Sequence, residues 1–293
     1  MSGLTLDALA EILLGGSEPW KDPLALAARL DSGIPEDWRN LAAVMVAAGW
    51  TGTLGITGGQ GAGKSTLAAA LVQASRLAGR RAAACSLDDF YLTRDERMAL
   101  AQTVHPLFAT RGVPGTHDVD LALSVLSGLT DAGVTRVPVF DKGRDDRTAG
   151  TEWRTVEGPV ETIVFEGWCL GVPAEPAERL IEPVNQLERD EDADRTWRCH
   201  VNDMLGERYP PLWSRVDRLL YLQVPDMAAV RDWRAHQELA LPESRRMVDA
   251  ELDRFLAHYE RLTLWMFETL PDRSEVVIEL GRDHRIARVR RNF

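Results

Sequence analysis

The feature that most constrains this chain is a glycine-rich segment, "GGQGAGKST", at residues 58–66. It contains the full pattern G-x-x-x-x-G-K-[ST], between a short apolar stretch and a stretch rich in leucine and alanine. Glycines let the backbone curl so that its N–H groups point into one concavity, and the start of a helix adds partial positive charge. The segment therefore predicts a phosphate-binding loop between a strand and a helix.

Such a loop binds the phosphates of a nucleoside triphosphate, here expected to be ATP with Mg²⁺. We expect Lys64 to reach the β- and γ-phosphates and the Ser65 hydroxyl to bind Mg²⁺. A glycine-rich turn that matches by chance is the alternative, and the flanking segments argue against it. The predicted ATP-binding residues of the loop are Gly58, Gly59, Gln60, Gly61, Ala62, Gly63, Lys64, Ser65 and Thr66.

The hydrophobic pattern changes near residue 50. Before it, apolar residues recur at helical spacing; after it, short apolar runs alternate with amphipathic stretches. Continuous apolar strands separated by helices predict an α/β fold, a doubly wound and mainly parallel sheet with helices on both faces. We expect an N-terminal helical extension at residues 1–50 and a P-loop domain at 51–293, with ligands at the carboxyl ends of the strands. The predicted strands are residues 53–57, 82–87, 137–140, 162–165, 219–224 and 276–280.

Charge and composition exclude several classes of protein. With a net charge of −11, the chain lacks the basic stripe of a nucleic-acid-binding protein, and adhesion to an anionic membrane is disfavoured. No signal peptide and no membrane-spanning run are expected. The three cysteines have no metal-binding spacing and are expected to be reduced, as in a cytoplasmic protein. The sequence leaves open whether the chain forms a homo-oligomer.

Two adjacent carboxylates, Asp88 and Asp89, stand at the end of the second predicted strand, in "CSLDDFYLT". If that strand lies beside the P-loop, one acid accepts the proton of an attacking hydroxyl group and the other lies close to Mg²⁺ or its waters. A cap for the helix that starts near Arg94 is the alternative. The guanine-reading pattern N-K-x-D is absent from the sequence, which favours a kinase over a switch GTPase.

The segment "TRGVPGTHDVD", residues 110–120, predicts a rigid turn that recognises a small polar acceptor. Arg111 is suited to hold a carboxylate with two hydrogen bonds, and His117 and Asp118 accompany it. The alternative makes Asp118 or Asp120 the N-cap of the next helix, and we favour it for Asp120.

Three further segments carry charged residues at the expected ligand edge of the sheet. Lys142, in the loop "VPVFDKGRDDRT", is expected to contact substrate or phosphate, although residues 144–147 fit a solvated charge run equally well. Glu166 ends a buried strand, where a carboxylate organises Mg²⁺. Arg231 and Arg234 share one helical face and are expected to close over ATP, unless they form ordinary surface ion pairs. The charged run at residues 188–198 is predicted to be a solvated loop or the start of a helix.

Taken together, these segments resemble the D-glycerate 3-kinase family of P-loop kinases, which is related to uridine kinases, pantothenate kinases and phosphoribulokinases. The resemblance spans about residues 50–285. The chain departs from the family pattern at residues 140–143, which read FDKG where the family has YDKS. The motifs that carry the resemblance are the P-loop, SLDDFYLT, RGVPGTHD, VPVFDK, FEGWCLG, VN with Tyr209, WRAHQE and HYERLT.

The resemblance implies an ATP- and Mg²⁺-dependent kinase that converts a small hydroxy acid, D-glycerate, to 3-phosphoglycerate. It places the acceptor base at Asp88 and the lid arginine near Arg234, with Lys64 as the third catalytic residue. Ser65, Glu166 and Asp89 are the expected metal site. The expected acceptor site is Asp88, Tyr91, Arg111, His117, Asp118 and Lys142.

Two other functions stay open at this stage. The same machinery can phosphorylate a nucleoside or a pantothenate-like alcohol, and Tyr91, Phe108 and Trp168 are aromatic residues that would stack on a base. A regulatory nucleotide-binding protein without turnover is the second alternative. The presence of both Asp88 and Glu166 argues against it.

Overall fold

The computed structural model describes residues 5–239 and 246–293, so the first four residues of the predicted N-terminal extension lie outside it. In the described ranges the helices α1–α11 are Leu6–Leu14, Pro23–Arg29, Glu36–Ala47, Lys64–Leu77, Arg94–Thr103, Val119–Thr130, Gln186–Glu191, Thr196–Glu207, Pro210–Trp213, Met227–Leu239 and Asp249–Arg273. The strands β1–β10 are Gly52–Gly58, Ala82–Ser86, Gly133–Val137, Phe140–Asp141, Asp146–Arg147, Arg154–Gly158, Thr162–Glu166, Arg218–Gln223, Val276–Leu280 and Ile286–Arg291.

The central sheet has six strands in the order β10-β9-β8-β1-β7-β2. The five neighbouring strands β9, β8, β1, β7 and β2 are parallel to one another. β10 pairs antiparallel with β9 at the edge of the sheet. The predicted α/β fold with a mainly parallel sheet is therefore confirmed. Within the described ranges, no helix is both long and apolar enough to cross a membrane.

Both faces of the sheet are covered, because successive side chains of a strand point to opposite faces. In β7, Ile163 and Phe165 belong to one buried hydrophobic cluster and Val164 belongs to the other. In β8, Tyr221 faces the first cluster and Leu220 the second. This burial on two faces explains why the strands read as continuous apolar runs in the sequence.

The strand predicted at residues 137–140 does not join the central sheet, and this prediction is wrong. Val137 ends β3, which pairs with β6, while Phe140 begins β4, which pairs with β5. Pro138 separates the two strands, and a proline has no N–H group to donate to a sheet ladder. The result is two short ribbons, and the turn at residues 142–145 joins β4 to β5 outside the central sheet.

The strand that carries Asp88 and Asp89 is also placed differently from the prediction. β2 does not lie beside β1, since β7 pairs with both strands and separates them. Ser86, the last residue of β2, is in register with Glu166, the last residue of β7. Asp88 therefore follows a strand tip that lies next to Glu166, two strands from the P-loop.

The N-terminal helices complete one face of the sheet. Trp38 and Leu41 of α3 belong to the same buried cluster as Leu67 and Leu71 of α4. Asp22 caps α2, since its carboxylate accepts a hydrogen bond from the amide of Leu24 at 2.9 Å. The division of the chain into two parts at residue 50 stays a prediction.

The charged run at residues 188–198 includes helix, as one prediction had it, and most of its residues are exposed, but it is not solvated throughout. Glu188 and Asp192 have no exposed surface. Arg261 of α11 donates to Glu188 at 2.7 Å, and Arg198 of α8 donates to Asp192 at 2.7 Å. Buried carboxylates are tolerated when they are paired with hydrogen-bonded cations, and these two arginines supply the pairing.

Candidate active site

The P-loop connects β1 to α4 and is packed between two helices. Its Gly61 and Gly63 have φ angles of +79° and +89°, which favour glycine. A Cβ atom on Gly61 would lie 2.9 Å from Cβ of Trp233 in α10, and one on Gly63 would lie 3.2 Å from the ring of Trp38. No side chain caps the start of α4. Its first amides therefore suit an anion such as a phosphate group.

Lys64 is folded over the loop in this structure. Its Nζ atom donates to the carbonyl oxygens of Gly58 at 2.9 Å and Gly59 at 3.0 Å. Burial lowers the pKa of Lys64, and the carboxylates of Glu166 and Asp88 act in the opposite direction. A cation held by neutral carbonyls at the mouth of an amide-lined loop fits a triphosphate, since phosphate oxygens are stronger acceptors than carbonyls.

Ser65 and Glu166 form the pair expected for a Mg²⁺ site. The Ser65 hydroxyl donates to Oε1 of Glu166 at 3.0 Å, and Glu166 is almost fully buried. The pairing of Ile56 in β1 with Glu166 places this strand tip directly beside the P-loop. A hydroxyl and a carboxylate are hard oxygen ligands of the kind that Mg²⁺ prefers, so the residues present fit the ion.

Asp88 lies in a 3-10 helix, Leu87–Phe90, that begins directly after β2. Its Oδ1 accepts a hydrogen bond from the Tyr91 hydroxyl at 2.9 Å, and its Oδ2 accepts one from Nζ of Lys142 at 2.7 Å. Burial alone would raise the pKa of Asp88, but the charge and hydrogen bond of Lys142, together with Tyr91 and Lys64, lower it. The carboxyl group is therefore ionised at neutral pH and able to accept a proton.

Asp89 faces different partners from those predicted. Its Oδ1 accepts a hydrogen bond from the amide of Phe140 at 3.3 Å, and its Oδ2 accepts one from Arg154 at 3.1 Å. Burial raises its pKa, which Arg154 opposes. These contacts tie Asp89 to the ribbons formed by β3–β6, and they give no support to the predicted magnesium role.

His117 is buried against the residues that surround Asp88. Its ring stacks on Tyr91 with the centroids 4.6 Å apart, and its Nδ1 lies 2.7 Å from the hydroxyl of Tyr209. The Tyr209 oxygen also accepts a hydrogen bond from the amide of Gly115, and its own proton is available to donate to Nδ1. Burial lowers the pKa of His117 to about 4. The imidazole is thus neutral at pH 7, and with Tyr209 as the donor to Nδ1 the ring proton is on Nε2.

Asp118 does not have the predicted acceptor-binding role in this structure. Helix α6 begins at Val119, two residues before the expected Leu121, so Asp118 is its N-cap and accepts from the Leu121 amide at 3.0 Å. The other carboxylate oxygen pairs with Arg147 at 3.0 Å. Asp120, favoured as the cap from the sequence, instead pairs with Arg208 at the surface.

The loop between β4 and β5 brings Lys142 to the site and carries a mixture of buried and exposed charges. Lys142 contacts Asp88, as described above, and Arg144 is exposed and pairs with Asp141. Arg147 is largely buried between Asp118 and Glu96. A solvated charge run therefore describes Arg144 and does not describe Arg147.

Arg231 and Arg234 have different surroundings although they share one helix. Arg231 is held at the surface by two acids of α11, and its Nε lies 2.6 Å from Oδ1 of Asp253. Arg234 is less exposed, lies 5.3 Å from the ring centroid of Phe255 and pairs with Glu238. The charge of Arg234 also reaches Tyr259, a neighbour of Arg111.

Sequence reasoning missed two charged residues near Arg111, of which Asp145 contacts Arg111 and Arg97 contacts Asp145. Asp145 forms an ion pair with Arg111, and Arg97 lies on the other side of Asp145 at 3.0 Å. Asp145 has a φ angle of +55°, a conformation that aspartate adopts more readily than most residues. The buried Arg97 lies in a segment that reads as an ordinary amphipathic helix, so no local signal marks it.

The chain has relatives among known proteins, although no family model matches it. It is 32% identical over 232 residues to an uncharacterized kinase of Schizosaccharomyces pombe, mug58, and the match covers 75% of this chain and 82% of that protein. It is 34% identical over 221 residues to the chloroplastic D-glycerate 3-kinase of Arabidopsis thaliana. That match covers 70% of this chain and 45% of the plant protein, so the chain spans just under half of the plant enzyme's length.

A solved structure is similar over nearly the whole chain. The D-glycerate 3-kinase of Cryptococcus neoformans superposes with a TM-score of 0.68 at 25% identity. The superposition covers 92% of this chain and 96% of that chain.

Proposed function

Because this chain belongs to the D-glycerate 3-kinase family of P-loop kinases, we propose that it transfers the γ-phosphoryl group of ATP to the 3-hydroxyl group of D-glycerate. The products are 3-phospho-D-glycerate and ADP. The observation that carries the proposal is the position of Asp88. Its ionised carboxylate contacts Lys142, its charge reaches Lys64 of the P-loop, and it lies beside a strand tip that ends in Glu166.

The nucleotide side uses the loop at residues 58–66. Its backbone amides and Lys64 bind the triphosphate, and Ser65 and Glu166 would hold Mg²⁺, which would supply charge to neutralise the phosphates. The Ser65–Glu166 hydrogen bond supports this assignment, because it shows that both oxygens face the same point. Asp89 has no part in this proposal, since Arg154 and Phe140 occupy it.

The acceptor side matches the groups of a small hydroxy acid. D-glycerate carries one carboxylate and two hydroxyl groups. Arg111 and Lys142 supply the cations for the carboxylate, and the Nε2–H of His117 supplies a neutral donor. Asp88 takes the proton of the 3-hydroxyl group as its oxygen attacks phosphorus. The Tyr91 hydroxyl, 2.9 Å from Oδ1, orients Asp88 for this role.

Arg234 is the residue that we assign to the closing of the site. It lies on α10, the helix that packs on Gly61 of the P-loop, and its charge acts on Tyr259, which donates a hydrogen bond to the carbonyl of Arg111. A cation that closes over the phosphates stabilises the charge of the transition state. Closure also excludes water, which would otherwise compete with the acceptor for the phosphoryl group.

A nucleoside acceptor is disfavoured by the state of the aromatic residues. Tyr91 already stacks on His117, and Trp168 donates its Nε1–H to Thr263 at 3.2 Å. Phe108 is fully buried in the hydrophobic core. The three rings that would stack on a base are therefore packed within the protein, whereas the cations that suit a carboxylate remain at the site.

A panel of acceptors tests the proposal. ADP release is measured with D-glycerate, L-glycerate, uridine and pantothenate, each against the background hydrolysis of ATP, and the phosphorylated carbon is identified by NMR. We expect D-glycerate to give the highest kcat/KM and a product phosphorylated at O3. Phosphorylation of uridine or pantothenate alone would reject the glycerate assignment. No rise above background with any acceptor would favour the regulatory alternative.

A further inference from the structure

The carboxylate of Asp145 lies between two arginines, and only one of them is at the acceptor site. Asp145 follows β4 in the loop that also carries Lys142. One of its carboxylate oxygens pairs with Nη1 of Arg111, and the other lies 3.0 Å from Nη2 of Arg97. The two guanidinium groups also share a ring, since both lie within 6 Å of the centroid of Phe140.

Arg97 fixes Asp145 from the protein interior. Its side chain is only 1% exposed, and it donates to the carbonyl oxygens of Ala109 at 2.8 Å and of Asp145 itself at 2.6 Å. A buried guanidinium is costly unless a carboxylate neutralises it, and Asp145 is the carboxylate that lies against it. The neighbouring Asp146 adds a second anchor, because its carboxylate accepts from the amide of Arg94 at 2.9 Å.

Arg111 is held at three points. Its guanidinium pairs with Asp145, it lies 5.3 Å from the ring centroid of Phe140, and its carbonyl accepts a hydrogen bond from Tyr259 at 2.9 Å. A guanidinium has five N–H donors in a fixed planar fork, and the ion pair uses one of them. Fixing one edge of the fork therefore fixes the direction in which its other edge points.

We propose that Asp145 is a positioning residue that orients Arg111 to bind the carboxylate of the acceptor. Arg97 holds Asp145, Asp145 holds one edge of Arg111, and the other edge of Arg111 receives the substrate. The chain of contacts makes the enzyme selective for acceptors that carry a carboxylate. This inference rests on the proposed function, since it assigns Arg111 to the acid group of D-glycerate.

The test compares Asp145→Asn with Glu152→Gln, which removes the same charge from a nearby exposed position that pairs with Arg144. Asparagine tolerates the left-handed backbone at residue 145, so the loop conformation is retained. We expect Asp145→Asn to raise KM for D-glycerate by about tenfold, the factor for about 1.4 kcal/mol, with kcat nearly unchanged. Glu152→Gln should leave both constants unchanged, and kcat/KM for glycerol, which lacks the carboxylate, should not move in either variant.

A double-mutant cycle separates positioning from a general structural effect. In an Arg111→Lys background, which keeps the charge but loses the fork, Asp145→Asn should have little further effect on KM. Equal effects in both backgrounds would overturn the inference, as would a lower KM in Asp145→Asn, which would make Asp145 a competitor of the substrate. If Asp145→Asn fails to fold, the Arg111→Lys variant alone is the test. An unchanged KM for D-glycerate in Arg111→Lys would also overturn the inference. A wild-type chain that does not phosphorylate D-glycerate would instead reject the proposed function.

Discussion

Nζ of Lys142 lies 2.7 Å from Oδ2 of Asp88. This ion pair joins the loop that is expected to bind the acceptor to the carboxylate that is expected to receive the proton of the acceptor hydroxyl group. The Lys142 side chain is 64% exposed and that of Asp88 is 30% exposed. Ion pairs of this kind contribute little to stability and exchange readily. The carboxylate of an incoming acceptor can therefore replace Asp88 as the partner of Lys142. Asp88 is then free to accept a hydrogen bond from the hydroxyl group of the acceptor.

Replacing Lys142 with methionine should shift the pH dependence of the reaction. Lys142 lowers the pKa of Asp88, so its removal raises that pKa, and Asp88 becomes protonated at a higher pH. The acid limb of kcat/KM plotted against pH should move to higher pH in Lys142→Met. Arg144→Met, an exposed substitution in the same loop, should leave the limb in place. An unshifted limb in Lys142→Met would show that Asp88 does not control it.

The two adjacent aspartates should differ sharply in their effect on turnover. Asp88→Asn removes the proton acceptor, and we expect kcat to fall by about 10³-fold, within the range for general bases. Asp89→Asn weakens only the contacts with Arg154 and Phe140, so kcat should fall by much less. Both variants should bind ATP as the wild type does, measured by fluorescence of a labelled nucleotide. Similar losses of kcat in both variants would contradict the assignment of the base.

Arg234 and Arg231 provide a second matched pair. Arg234→Ala should lower kcat strongly, because it removes the cation expected to close over the phosphates. Arg231→Ala breaks surface ion pairs with α11, and such pairs contribute at most about 1 kcal/mol. Its kcat should stay close to that of the wild type. The test is to measure kcat of both variants at saturating ATP and D-glycerate. A larger loss of kcat in Arg231→Ala than in Arg234→Ala would show that Arg231 is the arginine that closes over the phosphates.

His117 should make the protein less stable in acid. Its pKa is about 4 in the folded chain against an ordinary 6.5, so the unfolded chain binds the extra proton between these values. The contribution of neutral His117 to the free energy of unfolding is therefore fully present above pH 6.5. It is lost as the pH falls toward 4, by up to about 3 kcal/mol. In His117→Phe, the free energy of unfolding from urea titrations should depend less on pH across this window. His236→Gln, at an exposed position of α10, is the control and should keep the wild-type slope.

The parts of the site that could be predicted from sequence are those in which a local pattern fixes the geometry. The P-loop pattern lies between a strand and a helix, as expected, and Glu166 ends a buried strand whose apolar run is unmistakable. Asp88 and Lys142 were both predicted to contribute to the acceptor site, and they contact each other in the structure. Short-range signals of this type survive folding because backbone geometry alone enforces them.

The parts that could not be predicted depend on pairings between distant segments. Glu188 reads as a solvated acid until Arg261, 73 residues away, is seen to neutralise it. Asp89 reads as a metal ligand until Arg154 is seen to hold it. For Asp118, a helix that starts two residues earlier than its apolar pattern suggests is enough to turn a substrate contact into a cap. The local sequence does not distinguish a carboxylate that takes part in the reaction from one that forms an ion pair with an arginine of the same protein.

Trp38 of α3 lies against Gly63 at the turn of the P-loop, so the N-terminal helices and the nucleotide share a boundary. When two binding events act on one boundary, each changes the free energy of the other by the same amount. If occupation of the loop by a triphosphate changes the contact with Trp38, the packing of α1–α3 and the affinity for the triphosphate change by an equal factor. Helices α1–α3, which carry none of the predicted site residues, thus form part of the wall behind the phosphate-binding loop.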